Sequence, residues 1–491
     1  MTDTIFSPPA EAMEIARRLH DAGHQALFCG GAVRDFLLGV KPKDYDIATS
    51  ALPDEVERLF PKTIAVGKAY GIIVVLGEDG GRYEVATFRS DLTYVDGRRP
   101  EGVRFSSPLE DAKRRDFTMN ALFYDPFTDR VVDLVGGIAD MENRILRTVG
   151  VPAKRFAEDK LRLLRAVRFA ARTGFTIERG TWAAIKSESQ GAAKVAPERL
   201  ASELELMLTG GFAADAFSLL KNSGMLKIVL PEVDRMEGVE QPPDFHPEGD
   251  VWVHTLLLLE EMDKAINRQT DPLDYSTVDV DPERGMSRGD FDRHEYLAGV
   301  YECWDSFDPF WKKNLCWSAV LHDIGKPDTY FVSDRIRFNE HDSLGANMAT
   351  ELLERLKRPR KVVEAVHDLI HRHIHFSTLR KMRKSKLRRW LAAESFPAHL
   401  ELHRLDCVSS HKMLANWFFG LEAWREEKTR PPEPEPLLRG GDLIAIGYAP
   451  GPMIGTVLKE VEDARLEGMI VSHEQALAFA EKRLDDGGVE S

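Results

Sequence analysis

The stretch Leu27 to Thr49, LFCGGAVRDFLLGVKPKDYDIAT, constrains this chain more than any other. A short apolar run (Ala26 to Cys29) meets a Gly-Gly turn (Gly30, Gly31). A helix of one to two turns follows from Ala32 to Leu38, closed by Gly39, and Asp44-Tyr45-Asp46 then leads into Ile47. A strand that ends in two glycines and opens a helix presents unpaired backbone N–H groups at the positive end of the helix dipole, which suits a phosphate. Arg34 adds a charge there. If Asp44 to Ile47 is extended, side chains alternate, so Asp44 and Asp46 project together and Tyr45 points the other way. Two carboxylates on one face beside a phosphate cradle make a Mg²⁺ site. In phosphoryl transfer such ions activate the attacking oxygen and neutralise the leaving pyrophosphate.

At 491 residues the chain is too long for one core, and roughly one domain per 100–200 residues predicts three or four. With 43% hydrophobic and 30% charged residues it is globular rather than disordered. The formal charge of −14 argues against a protein coated in nucleic acid, while leaving room for local basic grooves. Four cysteines (Cys29, Cys303, Cys316, Cys407) are scattered without any C-x-x-C pair, as in a reducing compartment. No apolar run reaches the roughly 18 residues of a membrane span. The expectation is a soluble, cytoplasmic protein with no membrane partner.

After the Asp pair, Pro53 to Phe60 reads as a helix, and Ile72 to Leu76 and Arg82 to Phe88 as strands joined across Glu78-Asp79-Gly80-Gly81. Glu84, on the second of these strands, is a candidate third carboxylate beside Asp44 and Asp46. Residues 90–107 hold the polar, turn-rich segment Asp96-Gly97-Arg98-Arg99-Pro100, which reads as a mobile loop. Arg114-Arg115-Asp116-Phe117 then sets two cations at the sheet edge, and Arg130 to Leu134 reads as a further strand. Phe156 to Ala171 reads as one helix, in which Asp159, Arg162, Arg165 and Arg168 recur every third residue as a slowly turning stripe. An aspartate offers only acceptors and an arginine only donors. Side by side, Asp159 and Arg162 match the amino-donor and ring-acceptor edge of cytosine or adenine, and not that of uracil or guanine.

The set Gly30-Gly31-x-x-Arg34-Asp35, Asp44-x-Asp46, Arg114-Arg115-Asp116-Phe117-Thr118-x-Asn120-Ala121 and Glu158-Asp159-x-x-Arg162 resembles the class II tRNA nucleotidyltransferases. These are the bacterial CCA-adding enzymes and poly(A) polymerases, and the resemblance covers roughly the first 240 residues. It implies that Gly30, Gly31 and Arg34 hold the triphosphate, that Asp44 and Asp46 are catalytic and bind Mg²⁺, and that Arg114 and Arg115 contact the nucleotide. It further implies that Asp159 and Arg162 read the base, with Arg165 and Arg168 supporting triphosphate and ribose. Asp96 to Arg99 falls in the family's flexible loop, associated with switching from C to A addition. Pro197 to Leu208 belongs to the helical neck and body.

From His246 the chain is rich in histidine: His254 on an apolar helix from Val253 to Met262, His322-Asp323 near the end of Trp317 to Ile324 with Gly325 as a cap, and Asp406 on a later helix. His and Asp suit a first-row divalent metal in a hydrolase site, and the order resembles the HD phosphohydrolase domain. That resemblance implies His254, His322, Asp323 and Asp406 as ligands of a second divalent metal, with His341 and either His371 or His373 completing a further position. The polar stretch 267–292 reads as an insertion. Arg380 to Arg389 carries seven basic residues and no acid, a candidate contact for RNA phosphates. Thr429 to Pro436 reads as a stiff linker.

The expected fold is therefore an α/β head of the polymerase β nucleotidyltransferase type, followed by an elongated all-α body with an HD-type helical domain. The expected divisions are a catalytic head over 1–150, a neck and nucleotide- and RNA-binding body over 151–240, an HD-type domain over 241–428 and a C-terminal helical unit over 437–491. The expected activity is addition of C, C and A to the 3′ end of tRNA from CTP and ATP. Poly(A) synthesis and A addition alone are the alternatives within the class, and a metal-dependent phosphohydrolase at the HD centre is the reading from another class. The lack of a long basic C-terminal tail favours tRNA.

Overall fold

The computed structural model describes residues 6–65, 67–91, 102–270, 293–430 and 435–487. Asp96 to Arg99, most of the expected insertion and four residues of the proline-rich linker lie outside these. The chain forms two compact units, Met1–Asp234 and Arg235–Ser491.

The first unit is built on a seven-stranded mixed sheet. Its chain-order strands are β1 (Ala26–Cys29), β2 (Asp46–Thr49), β3 (Thr63–Ile64), β4 (Ile72–Leu76), β5 (Arg82–Thr87), β8 (Phe123–Asp125) and β9 (Arg130–Val132), with β6 (Arg89–Asp91) and β7 (Val103–Phe105) forming a separate ribbon. The spatial order is β3-β4-β5-β2-β1-β8-β9. β1 is buried along its whole length, as its unbroken apolar run requires of a central strand. It runs antiparallel to both neighbours, with Cys29 opposite Asp46 and Phe28 opposite Tyr124. β2 joins β5 in parallel, Ile47 facing Val85, and β5 alternates buried Tyr83, Val85 and Thr87 with outward Glu84. That alternation and the β4–β5 hairpin follow the sequence pattern closely.

The expected single helix from Phe156 to Ala171 is two helices, Pro152–Glu158 and Leu161–Thr173. Asp159 between them is extended (φ −144°, ψ 109°). Its carboxylate accepts from the Leu161 N–H at 3.0 Å, a local bond that competes with helix continuation. Leu161–Thr173 is apolar on most sides, packs against Pro197–Leu208 and Ala213–Asn222 and stops at Gly174, whose φ of 64° is left-handed. Its Arg162 and Arg168 are buried rather than solvated.

The second unit is helical, with Val251–Ile266, Pro309–Leu321, His341–Arg355, Arg360–Arg372 and Phe396–Val408 around one core. Asp250 and Asp308 cap the first two by accepting from Val253 N and Trp311 N, both at 2.8 Å. The second of these helices begins earlier and ends earlier than expected, leaving His322-Asp323 on the turn that follows it. Gly325 is not the C-terminal cap expected but the N-cap of the short helix Lys326–Thr329, and a point of close approach: a Cβ there would lie 2.3 Å from His341 O and 2.8 Å from Gly345 N. The last helices, Pro452–Leu466 and His473–Gly487, share a small core of Leu443, Tyr448, Val457, Val461 and Ala480. Among the described residues, no helix is long and apolar enough to cross a membrane.

Candidate active site and metal centre

In the head, Tyr45 turns its ring to Phe6 (5.9 Å) and Phe28 (6.2 Å), so Asp44 and Asp46 lie on the other face as alternation predicts. Asp44 precedes β2 and is exposed, while Asp46 opens it and is half-buried. Burial, followed by repulsion from Glu84 and Asp44, raises the Asp46 carboxyl to about 6, against the opposing pull of Arg115. Among the described residues, none of these three carboxylates has a hydrogen-bond or ion-pair partner. Carboxylates that repel one another and are bonded to no cation, Arg115 being held by Asp111, fit a divalent ion with oxygen ligands.

Beside this edge, Gly30 has φ 67°, and a Cβ there would meet Arg115 Nη1 at 3.0 Å, so the turn requires glycine. Its N–H bonds Leu122 O at 3.2 Å, which leaves the first turn of Gly31–Leu37 as the open part of the cradle. Arg34 is buried. It donates through Nε (2.9 Å) and Nη2 (2.7 Å) to Asp35 and through Nη1 to Asn120 Oδ1 at 2.7 Å. Arg114 and Arg115 both grip the buried Asp111, at 2.7 and 3.0 Å, and Arg115 Nη1 also reaches Asn120 O at 3.1 Å.

The arginine helix completes this network. Arg165 holds Asp116 Oδ2 through Nε (2.8 Å) and Nη2 (2.7 Å), Arg168 holds Glu203 at 2.6 Å, and Arg172 holds Asp35 at 3.0 Å. The guanidinium carbons of Arg34, Arg165 and Arg168 lie over the Phe169 ring at 5.0, 5.2 and 4.3 Å. Burial alone would raise the Asp116 carboxyl, but Arg165 and Asn120 hold it down at about 2. Arg162 donates to Glu158 (2.6 Å) and to the carbonyls of Arg114 (2.9 Å) and Arg155 (3.2 Å). Arg199 embraces both oxygens of Asp159, at 3.2 and 2.8 Å. The structure thus joins the glycine turn, the arginine pair and Arg165, Arg168 and Arg172 in one network, three sets of ion pairs linked by hydrogen bonds of Asn120, and keeps Asp159 and Arg162 on separate internal partners. Asp111, Arg199 and Glu203 were not singled out in the sequence, whereas Asn120 already stood in the motif that follows Arg114-Arg115. Arg199 and Glu203 stand 40 and 35 residues from the groups they hold, whereas Asp111 precedes Arg114 and Arg115 by only three and four residues.

In the second unit, His254, His322 and Asp406 bring ligand atoms within 4.8 Å of one another, as do Asp323, His341 and His373. His254 Nε2 lies 3.2 Å from Asp406 Oδ1, His322 Nε2 lies 3.2 Å from Asp323 Oδ2, and His341 Nε2 lies 3.2 Å from His373 Nε2. The four expected ligands therefore converge, and of the two alternatives it is His373 that joins them. His371 meets Ser343 instead, at 3.4 Å. Each histidine anchors Nδ1 on an acceptor and turns Nε2 inward: His322 on Ala319 O, His341 on Phe338 O, His373 on Ile370 O and His254 on Glu248. The Nε2 atoms of His254 and His322 are buried without a hydrogen bond. Orphaned nitrogens oriented from behind are the arrangement of metal-ligating histidines, so the residues fit a divalent-metal cluster. Burial drives His373 down to about 3, with His341 adding to it. Burial would lower His254 as well, but Asp406 and Glu248 raise it to about 9, so its proton stands where a cation would. Glu248, His246 and the buried Lys326, whose Nζ lies 2.8 Å from Asp323, carried no motif and were missed.

The mixed-sheet head with its acidic edge and arginine network is that of a polymerase β-type nucleotidyltransferase, followed in the chain by an HD-type helical unit. Residues 26–147 match the poly A polymerase head domain, residues 174–237 the probable RNA and SrmB-binding site of polymerase A, and residues 303–402 the HD domain. The CCA-adding enzyme of Geobacillus thermodenitrificans is 49% identical over 222 residues, 45% of this chain and 54% of that one, and the Bacillus subtilis CCA-adding enzyme is 48% identical over 211 residues. The chain spans about half the length of these curated relatives. The crystal structure of the Bacillus stearothermophilus CCA-adding enzyme in complex with CTP superposes at a TM-score of 0.66, with 26% identity over 98% of each chain. The Thermotoga maritima CCA-adding enzyme complexed with tRNA shares the fold at 0.53 and 19% identity, covering 96% of this chain. The chain is thus similar to the class II tRNA nucleotidyltransferases, the family of bacterial CCA-adding enzymes, and its residues 303–402 match an HD domain.

Proposed function

We propose that this chain adds C, C and A to the 3′ end of tRNA from CTP and ATP, the 3′-hydroxyl of the tRNA attacking the nucleotide's α-phosphate. The observation that carries this reading is the meeting of an unpartnered carboxylate group (Asp44, Asp46, Glu84) with an arginine network at the glycine turn, in a chain that follows a CTP-bound relative over 98% of its length. Asp44 and Asp46 hold Mg²⁺, which supplies activation of the attacking hydroxyl and neutralisation of the leaving pyrophosphate. The first turn after Gly30 and Gly31, with Arg34, receives the triphosphate. Arg114 and Arg115 are held by Asp111 against rotation and contact the nucleotide without reordering. Arg165 and Arg168 support triphosphate and ribose.

Asp159 and Arg162 read the base. Because Arg199 and Glu158 hold them in the present state, base reading exchanges these ion pairs for hydrogen bonds to cytosine or adenine. A base that offers a carbonyl next to an N–H leaves both groups worse satisfied than before. Asp44→Ala with Asp46→Ala, assayed for incorporation of labelled CTP and ATP into tRNA in Mg²⁺, is expected to lose transfer by at least about a thousandfold. Retention of the parent rate would reject the assignment.

A second reading holds for the other unit. The paired triads His254–His322–Asp406 and Asp323–His341–His373 support metal-dependent hydrolysis of phosphate esters on nucleotides or RNA ends. His322→Ala with Asp323→Ala is expected to abolish such hydrolysis and to leave nucleotide addition intact.

A further inference from the structure

The two metal positions of the HD centre are unequal in charge. At the first, Asp406 faces His254 Nε2 at 3.2 Å, and a second carboxylate stands behind the same imidazole: Glu248 Oε1 lies 2.8 Å from His254 Nδ1. The same Oε1 is shared with His246 Nδ1 at 2.9 Å, and Oε2 is buried without a donor. The other three histidines of the centre rest Nδ1 on neutral backbone carbonyls, at 3.1, 2.8 and 2.6 Å. A carboxylate on the far nitrogen fixes the tautomer, leaves the Nε2 lone pair facing the ion and raises its basicity. The second position has one carboxylate, Asp323, whose Oδ2 is shared with the first by facing His322 Nε2 at 3.2 Å, and that carboxylate already has a cation. Lys326 Nζ lies 2.8 Å from Oδ2, and Gln241 Oε1, 2.7 Å away, holds the buried ammonium in place. The first position therefore gathers two carboxylates for one ion, whereas the second is already neutral.

We propose that the centre holds one divalent cation tightly, at His254, His322 and Asp406, with Glu248 as the positioning residue of that site, and that Lys326 takes the place of a second divalent ion at Asp323. This rests on the metal-binding reading of the HD unit and adds to it an order of filling and a stoichiometry.

The test is a Co²⁺ titration of the full chain, read by calorimetry and by the d–d absorption of histidine-bound cobalt, with Asp44→Asn and Asp46→Asn present so that the head contributes nothing. One equivalent is expected to bind at least 100-fold more tightly than a second. Glu248→Gln, nearly isosteric, is expected to weaken the first site by about 10- to 100-fold and to leave the second unchanged. Lys326→Met keeps the buried stem and is expected to tighten the second site at least tenfold. Two equal equivalents in the parent, or variants that leave both affinities unchanged while thermal melts show them folded, would overturn the asymmetry. No Co²⁺ binding at all would overturn the metal reading itself and this inference with it.

Discussion

At the residue scale, Asp116 does more for the head than its place in a short motif suggests. It takes the Phe117 N–H, the Asn120 amide and two arms of Arg165 on two oxygens, and so ties the arginine pair to the arginine helix. Its carboxyl is held near 2 in the folded state, below the ordinary value of about 3.9. The stability it contributes is therefore fully present above about pH 4 and is lost as pH falls through about 2. Asp116→Asn is expected to lower unfolding free energy by about 2 kcal/mol at pH 7, the gap to the parent closing between pH 4 and pH 2 in urea melts. A gap independent of pH would contradict the ion pair. Asp159 has the opposite character, with a function to lose rather than a fold. Asp159→Ala is expected to raise misincorporation of UTP and GTP relative to CTP and ATP by about 10- to 100-fold in single-turnover assays. Unchanged selectivity would remove Asp159 from base reading.

At the scale of elements, two close approaches set the geometry. The HD centre depends on the turn after Pro309–Leu321 lying against the start of His341–Arg355, which Gly325 and Gly345 permit. Gly325→Ala must push His341 O away from 2.3 Å, and is expected to cost about 1–3 kcal/mol of stability and to weaken metal retention in parallel. Thermal melts with and without metal check both. The strands, the glycine turn and the acidic pair were legible because alternation and Gly pairs are local signals. The break at Asp159 was not, since Asp-Lys is no helix breaker and the apolar periodicity continues through it. The partner that matters, Arg199, stands 40 residues on. The choice of His373 over His371 was hidden for a related reason. Arg360–Arg372 ends just before His373 and passes into a 3₁₀ turn, and that change of winding carries His373 into the centre. The stripe of Arg162 and Arg168 was legible, but not that both are buried, because the acids that hold them, Glu158 and Glu203, lie on other elements.

At the scale of the whole molecule, the chain carries two candidate sites in two compact units, each with its own polar network. The basic run Arg380 to Arg389 is partly consumed inside the second unit: Arg388 meets Glu427, Arg389 meets Asp463, and Arg380 donates to Ala415 O. Lys381, Arg383, Lys384 and Lys386 remain outward as candidates for RNA phosphates. Replacing these four with Gln is expected to weaken tRNA binding and flatten its salt dependence, while leaving incorporation at saturating tRNA near the parent rate. Nitrocellulose binding across a salt series would show this, and an unaltered salt slope would remove the run from the interface.

The most direct measurement incubates the purified chain and Mg²⁺ with tRNA transcripts ending at the discriminator base, at C or at CC, each with CTP, ATP or both, and reads product lengths on a gel. Completion of all three to CCA, followed by a stop, is expected. Extension only of the CC-ended transcript by one A, or an unbounded A ladder on any RNA, would contradict CCA addition.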